Sequence, residues 1–168
     1  YQNPAWNLNY AVNDAKLLGS VISDSLRETK KFDRVIHYSL FADENGLLYK
    51  EDFAKVIAEL HKGKLHQPAV NVNDSIILTW SGHGYADEKG VFHLLTSDNG
   101  SGNSQSISNA ALKNSVSSTD LSRLFEPLDV ASLLFVIDAC NSAASVEGQD
   151  FKPGPMASRG FGQLAWFK

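Results

Sequence analysis

The run SIILTWSGHG, from Ser75 to Gly84, decides the fold. Ser75 to Trp80 is apolar and β-branched without polar alternation, the composition of a strand buried on both faces, and Asn73-Asp74 ahead of it reads as a turn. Such a strand belongs at the centre of a sheet covered by helices. The glycine-bracketed Ser81-Gly82-His83-Gly84 follows it. Gly82 and Gly84 permit a sharp bend around His83 and leave the Gly84 N–H to point at a ligand. A second continuous apolar run, Leu133 to Ile137, ends in Asp138-Ala139-Cys140. Ligands of open α/β sheets gather beyond the carboxyl ends of strands, so neighbouring strands here would bring His83 and Cys140 to one sheet edge.

Outward from these two runs, the pattern alternates. Ala15, Leu17, Leu18, Val21, Ile22 and Leu26 recur at helical spacing behind Asn13-Asp14, predicting a helix from Asn13 to about Glu28. Arg34 to Leu40 reads as a short strand closed by the turn Asp43-Glu44-Asn45-Gly46. A second helix, about Lys50 to Lys62, carries Phe53, Val56, Ile57 and Leu60 on one face and stops at Gly63. Gly90 to Thr96 reads as a strand, and Asp98 to Ser118 as a long Ser-, Asn- and Gly-rich surface loop. Ser118-Thr119-Asp120 caps a short helix through about Phe125, ended by Pro127. Asn141 to Gly162 is rich in Ser, Pro and Gly. Strands alternating with helices predict an α/β fold with a mainly parallel sheet.

The chain has 168 residues, 43% of them hydrophobic, and a formal net charge of −4. That composition supplies one core and excludes intrinsic disorder. No apolar run approaches the roughly 20 residues of a membrane span, and Tyr1 to Asn9 lacks the features of a signal peptide, so a soluble, cytoplasmic protein is expected. Lys and Arg are scattered, which gives no footprint for nucleic acid. With one cysteine, no internal disulfide or Cys-rich zinc site can form.

Cysteine and histidine delivered to one sheet edge are what a cysteine hydrolase needs: a thiol nucleophile and a base to activate it. The N–H groups of Gly84 and Cys140 would supply an oxyanion hole. The plainer readings are an inert buried thiol for Cys140 and a turn histidine for His83. Asp138 and Asn141 beside the cysteine, and His83 at the matching strand end, weigh against both.

Trp80-Ser81-Gly82-His83-Gly84 and Asp138-Ala139-Cys140-Asn141-Ser142 resemble the catalytic His and Cys segments of caspase-like peptidases. Leu8-Asn9-Tyr10-Ala11-Val12-Asn13-Asp14-Ala15 resembles the opening of the first helix in metacaspases and bacterial caspase homologues. Ser158-Arg159-Gly160-Phe161-Gly162-Gln163-Leu164-Ala165 resembles the bacterial members near the end of their large subunit. The resemblance spans almost the whole chain and implies a single caspase-like domain over residues 1–168, a three-layer α/β/α sandwich. It further implies a first apolar strand ahead of Tyr1 and a small-subunit segment after Lys168, both outside this sequence.

By that resemblance Cys140 is the nucleophile, His83 the general base and acid, and Gly84 with Cys140 the oxyanion donors. Animal caspases carry Gln two positions before the nucleophile. Here, as in metacaspases, Asp138 stands there, and a carboxylate in the first specificity pocket selects Arg or Lys. Asp14 matches a second acidic pocket residue and Ser81 a serine of the same pocket. For Asp138 an ion pair or helix cap competes, for Asp14 a helix N-cap, and for Ser81 a turn position. The implied partners are a protein or peptide substrate with a basic residue before the scissile bond, and a companion small-subunit fragment or regulatory sensor domain. The chemistry requires no cofactor or metal. Calcium activates some metacaspases, but no calcium site is recognisable. The competing reading is a caspase-like adaptor that binds a partner without turnover, against which the retention of both His83 and Cys140 speaks.

Other patterns fail on context. Gly160 to Ala165 fits a dinucleotide fingerprint but follows a Pro-Gly loop, not a strand. Asp43 to Gly46 is a turn, not a calcium loop, because Phe41 falls where the first carboxylate must be. His61 and His66 lack further ligands at zinc spacing.

Overall fold

The computed structural model describes residues 1–42, 46–64, 67–87, 91–99 and 111–140. The turn Asp43-Glu44-Asn45, His66 and the whole of 141–168, including the Ser158 to Ala165 segment, lie outside the described residues.

The chain forms a mixed α/β fold. Its α-helices are α1 (Ala11–Thr29), α2 (Lys50–Lys62) and α3 (Ser118–Phe125). The strands are β1 (Ser75–Ala86), β2 (Phe92–Leu94), β3 (Val116–Ser117) and β4 (Ser132–Cys140), joined in the order β3-β2-β1-β4. Short 3₁₀ turns occupy Pro4–Trp6 and Ala111–Asn114.

The sheet is not mainly parallel. Among the described residues only β1 and β4 run parallel, whereas β1 with β2 and β2 with β3 are antiparallel. The reason is the connection: β2 follows β1 after a few residues and folds straight back on it, and a short return can make only an antiparallel pair. The parallel pair needs the long crossover that α3 and its flanking segments provide.

β1 and β4 are in register from Ser75↔Ser132 to His83↔Cys140. Alternation then divides the two strands. Ile76, Leu78 and Trp80 pair with Leu133, Phe135 and Ile137, and all six pack on a core built from Phe53 and Ile57 of α2, Leu121 and Phe125 of α3, Phe92, Leu94, Val116 and Leu128. The Phe125 ring meets Phe135 edge-on at 5.3 Å between centroids. The remaining positions, Ile77, Thr79, Ser81 and His83 with their partners Leu134, Val136, Asp138 and Cys140, lie on the opposite face. Among the described residues that face is thinly covered: α1 packs against β1, yet Leu134 is 53% exposed and Leu17 of α1 is 65% exposed.

The helix ends follow local chemistry. α2 stops where Gly63 takes φ 73°, a left-handed value that costs glycine little. α3 opens one residue earlier than expected, with Ser117 as N-cap. The Ser117 hydroxyl accepts from the Asp120 N–H, and the Asp120 carboxylate accepts from the Ser117 N–H, a reciprocal capping box. α1 begins at Ala11, two residues before the Asn13 start signal, and its N-cap Tyr10 makes no side-chain capping bond. Asp14 is therefore a first-turn residue, where its charge suits the helix dipole, and is not the N-cap.

Three further expectations change. Arg34 to Leu40 forms no strand, because a β-branched segment becomes one only where a ladder partner exists. Among the described residues of the strand expected over Gly90 to Thr96, only Phe92–Leu94 form it. The stretch from Asp98 to Ser118 is not wholly a surface loop: Asn99, Ser115, Val116 and Ser118 are buried, and β3 pairs with β2.

Leu121 has no exposed surface and sits where α3 meets the sheet core. Leu121→Ala should lower the unfolding free energy by about 2–5 kcal/mol, read as an earlier urea midpoint with an unchanged slope.

Candidate active site

β1 runs unbroken through Ser81, Gly82, His83 and Gly84, so the expected bend is absent. Neither Gly82 nor Gly84 has positive φ. Both glycines instead make room. A Cβ on Gly84 would lie 2.7 Å from the Phe92 ring and 3.0 Å from the Ala139 Cβ, and one on Gly82 would press on the Trp80 indole at 3.2 Å. The strand can thus carry His83 straight to the carboxyl edge with bulky rings packed hard against its core face.

The register places His83 directly opposite Cys140 on the neighbouring parallel strand, with Ser81 opposite Asp138 two positions earlier. Four of the expected site residues thus occupy one face of two adjacent strands, at their carboxyl ends. Asp138 is exposed, and Ser81 and His83 are half-buried. The Leu95 N–H donates to the His83 carbonyl at 3.0 Å. Backbone groups of successive strand residues face opposite edges, so the Gly84 N–H faces β4, at the level of Cys140. Asp14 is exposed on α1, and among the described residues no hydrogen bond or ion pair joins it to Ser81 or Asp138.

His83 is held by the first residues of the chain. Asn3 caps the 3₁₀ turn through its side chain, which accepts from the Ala5 N–H at 3.1 Å, and Pro4 occupies the first position of that turn. The turn brings the Trp6 carbonyl oxygen to 2.7 Å from His83 Nε2. A carbonyl can only accept, so Nε2 carries the proton and, in the neutral ring, the lone pair is on Nδ1. Trp6 is 5% exposed and meets the imidazole edge-on, with ring centroids 6.2 Å apart. Tyr1 lies at 5.0 Å on another side. The Tyr1 hydroxyl accepts from the His83 N–H and donates to the Leu95 carbonyl, each at 3.2 Å.

Burial sets the ionisation of both groups. It lowers the His83 pKa below its ordinary 6.5, with the Trp6 carbonyl opposing, and so favours the neutral imidazole. The Tyr1 phenol is pushed up to about 12, chiefly by burial. The chemical capacity of this arrangement is a neutral base of fixed tautomer, in register with a thiol-bearing position. Neither Tyr1 nor the Trp6 carbonyl was singled out from the sequence. The Asn3-Pro4 turn signal was available, but a backbone acceptor leaves no mark in residue type.

Among the described residues, no group of three or more His, Cys, Asp or Glu side chains could hold a metal ion, and no helix is long and apolar enough to cross a membrane. No protein-family model, curated protein or solved structure matches this chain.

If burial beneath Trp6 holds His83 neutral, Trp6→Ala should admit water and move the His83 pKa up towards 6.5, as followed by NMR titration of the ring. An unchanged midpoint would reject burial as the cause.

Proposed function

We propose that the chain is the catalytic part of a caspase-like cysteine endopeptidase that cleaves after Arg or Lys. The observation that carries this reading is the register of β1 and β4, which sets His83 opposite Cys140 at the carboxyl edge of a parallel pair. In support, the His83 Nε2 proton is committed to the Trp6 carbonyl, which leaves Nδ1 as the basic nitrogen.

In this mechanism His83 takes the Cys140 thiol proton, and the thiolate attacks the scissile carbonyl carbon. The tetrahedral oxyanion accepts hydrogen bonds from the N–H groups of Gly84 and Cys140. Collapse expels the amine, which leaves with the proton held by His83, and a water activated by the same imidazole then hydrolyses the thioester. His83 must be neutral to begin, and a burial-lowered pKa keeps it so at neutral pH. Asp138, directly opposite Ser81 in the register, is the carboxylate for the basic side chain, with Ser81 beside it. Asp14 joins that pocket from α1. The finer architecture in this proposal is the caspase-like three-layer sandwich. Its partners are a basic peptide substrate and a small-subunit or sensor fragment.

Fluorogenic peptides ending in Arg, Lys or Asp test the proposal. Turnover of the Arg and Lys peptides should vanish in Cys140→Ala, and Asp138→Asn should cut kcat/KM on them by about a hundredfold, the equivalent of about 2–3 kcal/mol for one charge-assisted pair. Preference for the Asp peptide would overturn the pocket assignment. Silence against all three, in a folded sample supplied with calcium, would favour the adaptor reading.

A further inference from the structure

His93 is a buried histidine that the proposed chemistry does not use. It sits in the middle of β2, 8% exposed, and its neighbours come from three separate stretches of chain. Nδ1 lies 2.7 Å from the Ser115 hydroxyl oxygen, which itself lies 2.6 Å from the Leu112 carbonyl oxygen. Nε2 lies 3.7 Å from Asp87 Oδ2, an ion-pair distance too long for a hydrogen bond. Asp87 closes the connection between β1 and β2. Its Oδ1 accepts from the Val91 N–H at 2.8 Å, and its own N–H donates to the Val91 carbonyl at 2.9 Å.

Counting protons separates the two states of this chain of contacts. Leu112 to Ser115, Ser115 to Nδ1, and Nε2 to Asp87 each need one hydrogen between the heavy atoms. With His93 neutral, the hydroxyl and a single ring N–H supply two, so either tautomer leaves one contact without a proton. The imidazolium supplies the third.

We propose that Asp87, His93 and Ser115 form an acid-operated clasp on the β1–β2 connection. Uptake of one proton by His93 completes the three contacts and draws the Asp87 carboxylate towards Nε2 and off the Val91 amide. The groups facing His93 set the proton's cost. Asp87 at the end of β1 and Asp120 of α3 attract it. Lys50 of α2, paired with Asp120 at 2.6 Å, repels it, and the Tyr85 ring of β1 stands 6.4 Å away. Burial is the largest influence and lowers the pKa below 6.5, so the clasp is open at neutral pH and takes up its proton in mild acid. Since the folded state then binds fewer protons than the unfolded one, this histidine's contribution to stability is full above about pH 6.5 and is lost as pH falls through the folded-state pKa. The same β2 segment leads into Leu95, whose N–H donates to the His83 carbonyl, so closing the clasp also adjusts the strand that carries His83. Only that last consequence rests on the proposed peptidase.

The test is an NMR titration of the full chain between pH 7.5 and 4.5, following the His93 ring and the Val91 amide, in the wild type and Asp87→Asn. The wild type should show both signals moving with one midpoint below 6.5. Asp87→Asn removes the nearest attracting charge, so it should lower the ring midpoint further and abolish the amide response. Thermal unfolding of His93→Gln should lose part of the decline in Tm that the wild type shows between pH 7 and 5. A ring midpoint at 6.5 indifferent to Asp87→Asn, or a Val91 amide that ignores the titration, overturns the clasp. Lack of peptide turnover in a protein that titrates as described refutes the peptidase and leaves the clasp standing.

Discussion

The parallel ladder between β1 and β4 is the constraint from which the rest of the molecule follows. Its register is fixed by burial, because Ile76, Leu78 and Trp80 must face the same core as Leu133, Phe135 and Ile137. A slip of one residue would turn those side chains outward and bring Thr79, Ser81 and His83 into the core in their place. The hydrophobic effect on one face therefore holds the polar register on the other. The position of His83 relative to Cys140 is a consequence of packing several residues away from either.

What could be read from the sequence was what residue type and short-range order determine. The two apolar runs, α2 with its glycine stop and the Ser-Thr-Asp opening of α3 are local signals, and each begins within a residue of its expected place, although β1 continues six residues past Trp80. Strand direction and strand existence depend on partners far along the chain. Arg34 to Leu40 has the composition of a strand but no ladder. Val116 and Ser117, in a stretch that looks like a polar loop, pair with Leu94 and His93, and Val116 is buried in the core. The glycines show the same limit from another side. A glycine that bends a chain and one that lets a ring approach are identical on paper, and only the Phe92 ring against Gly84 separates them.

The candidate site divides in the same way. His83, Cys140, Asp138 and Ser81 were recognisable because their chemistry belongs to their side chains, and the ladder brings all four positions together. The contact that sets the tautomer of His83 was not recognisable, since the Trp6 carbonyl belongs to the backbone and reaches Nε2 only through the capped turn at Pro4. Asp14 marks the reverse case, a residue of suitable type on a helix that no described interaction joins to the other acidic position.

The half-buried His83 and the buried His93 show how surroundings, not burial alone, decide what an imidazole does. Burial lowers the pKa of both. At His83 the Nε2 proton goes to an uncharged carbonyl at 2.7 Å, which assigns the neutral ring's lone pair to Nδ1. At His93 the ring lies between a hydroxyl already engaged with a carbonyl and a carboxylate at 3.7 Å, and one ring proton cannot serve both. The first environment suits a base that must accept a proton from a reactant and return it. The second is one proton short at rest, and a group in that condition answers to the pH of its surroundings.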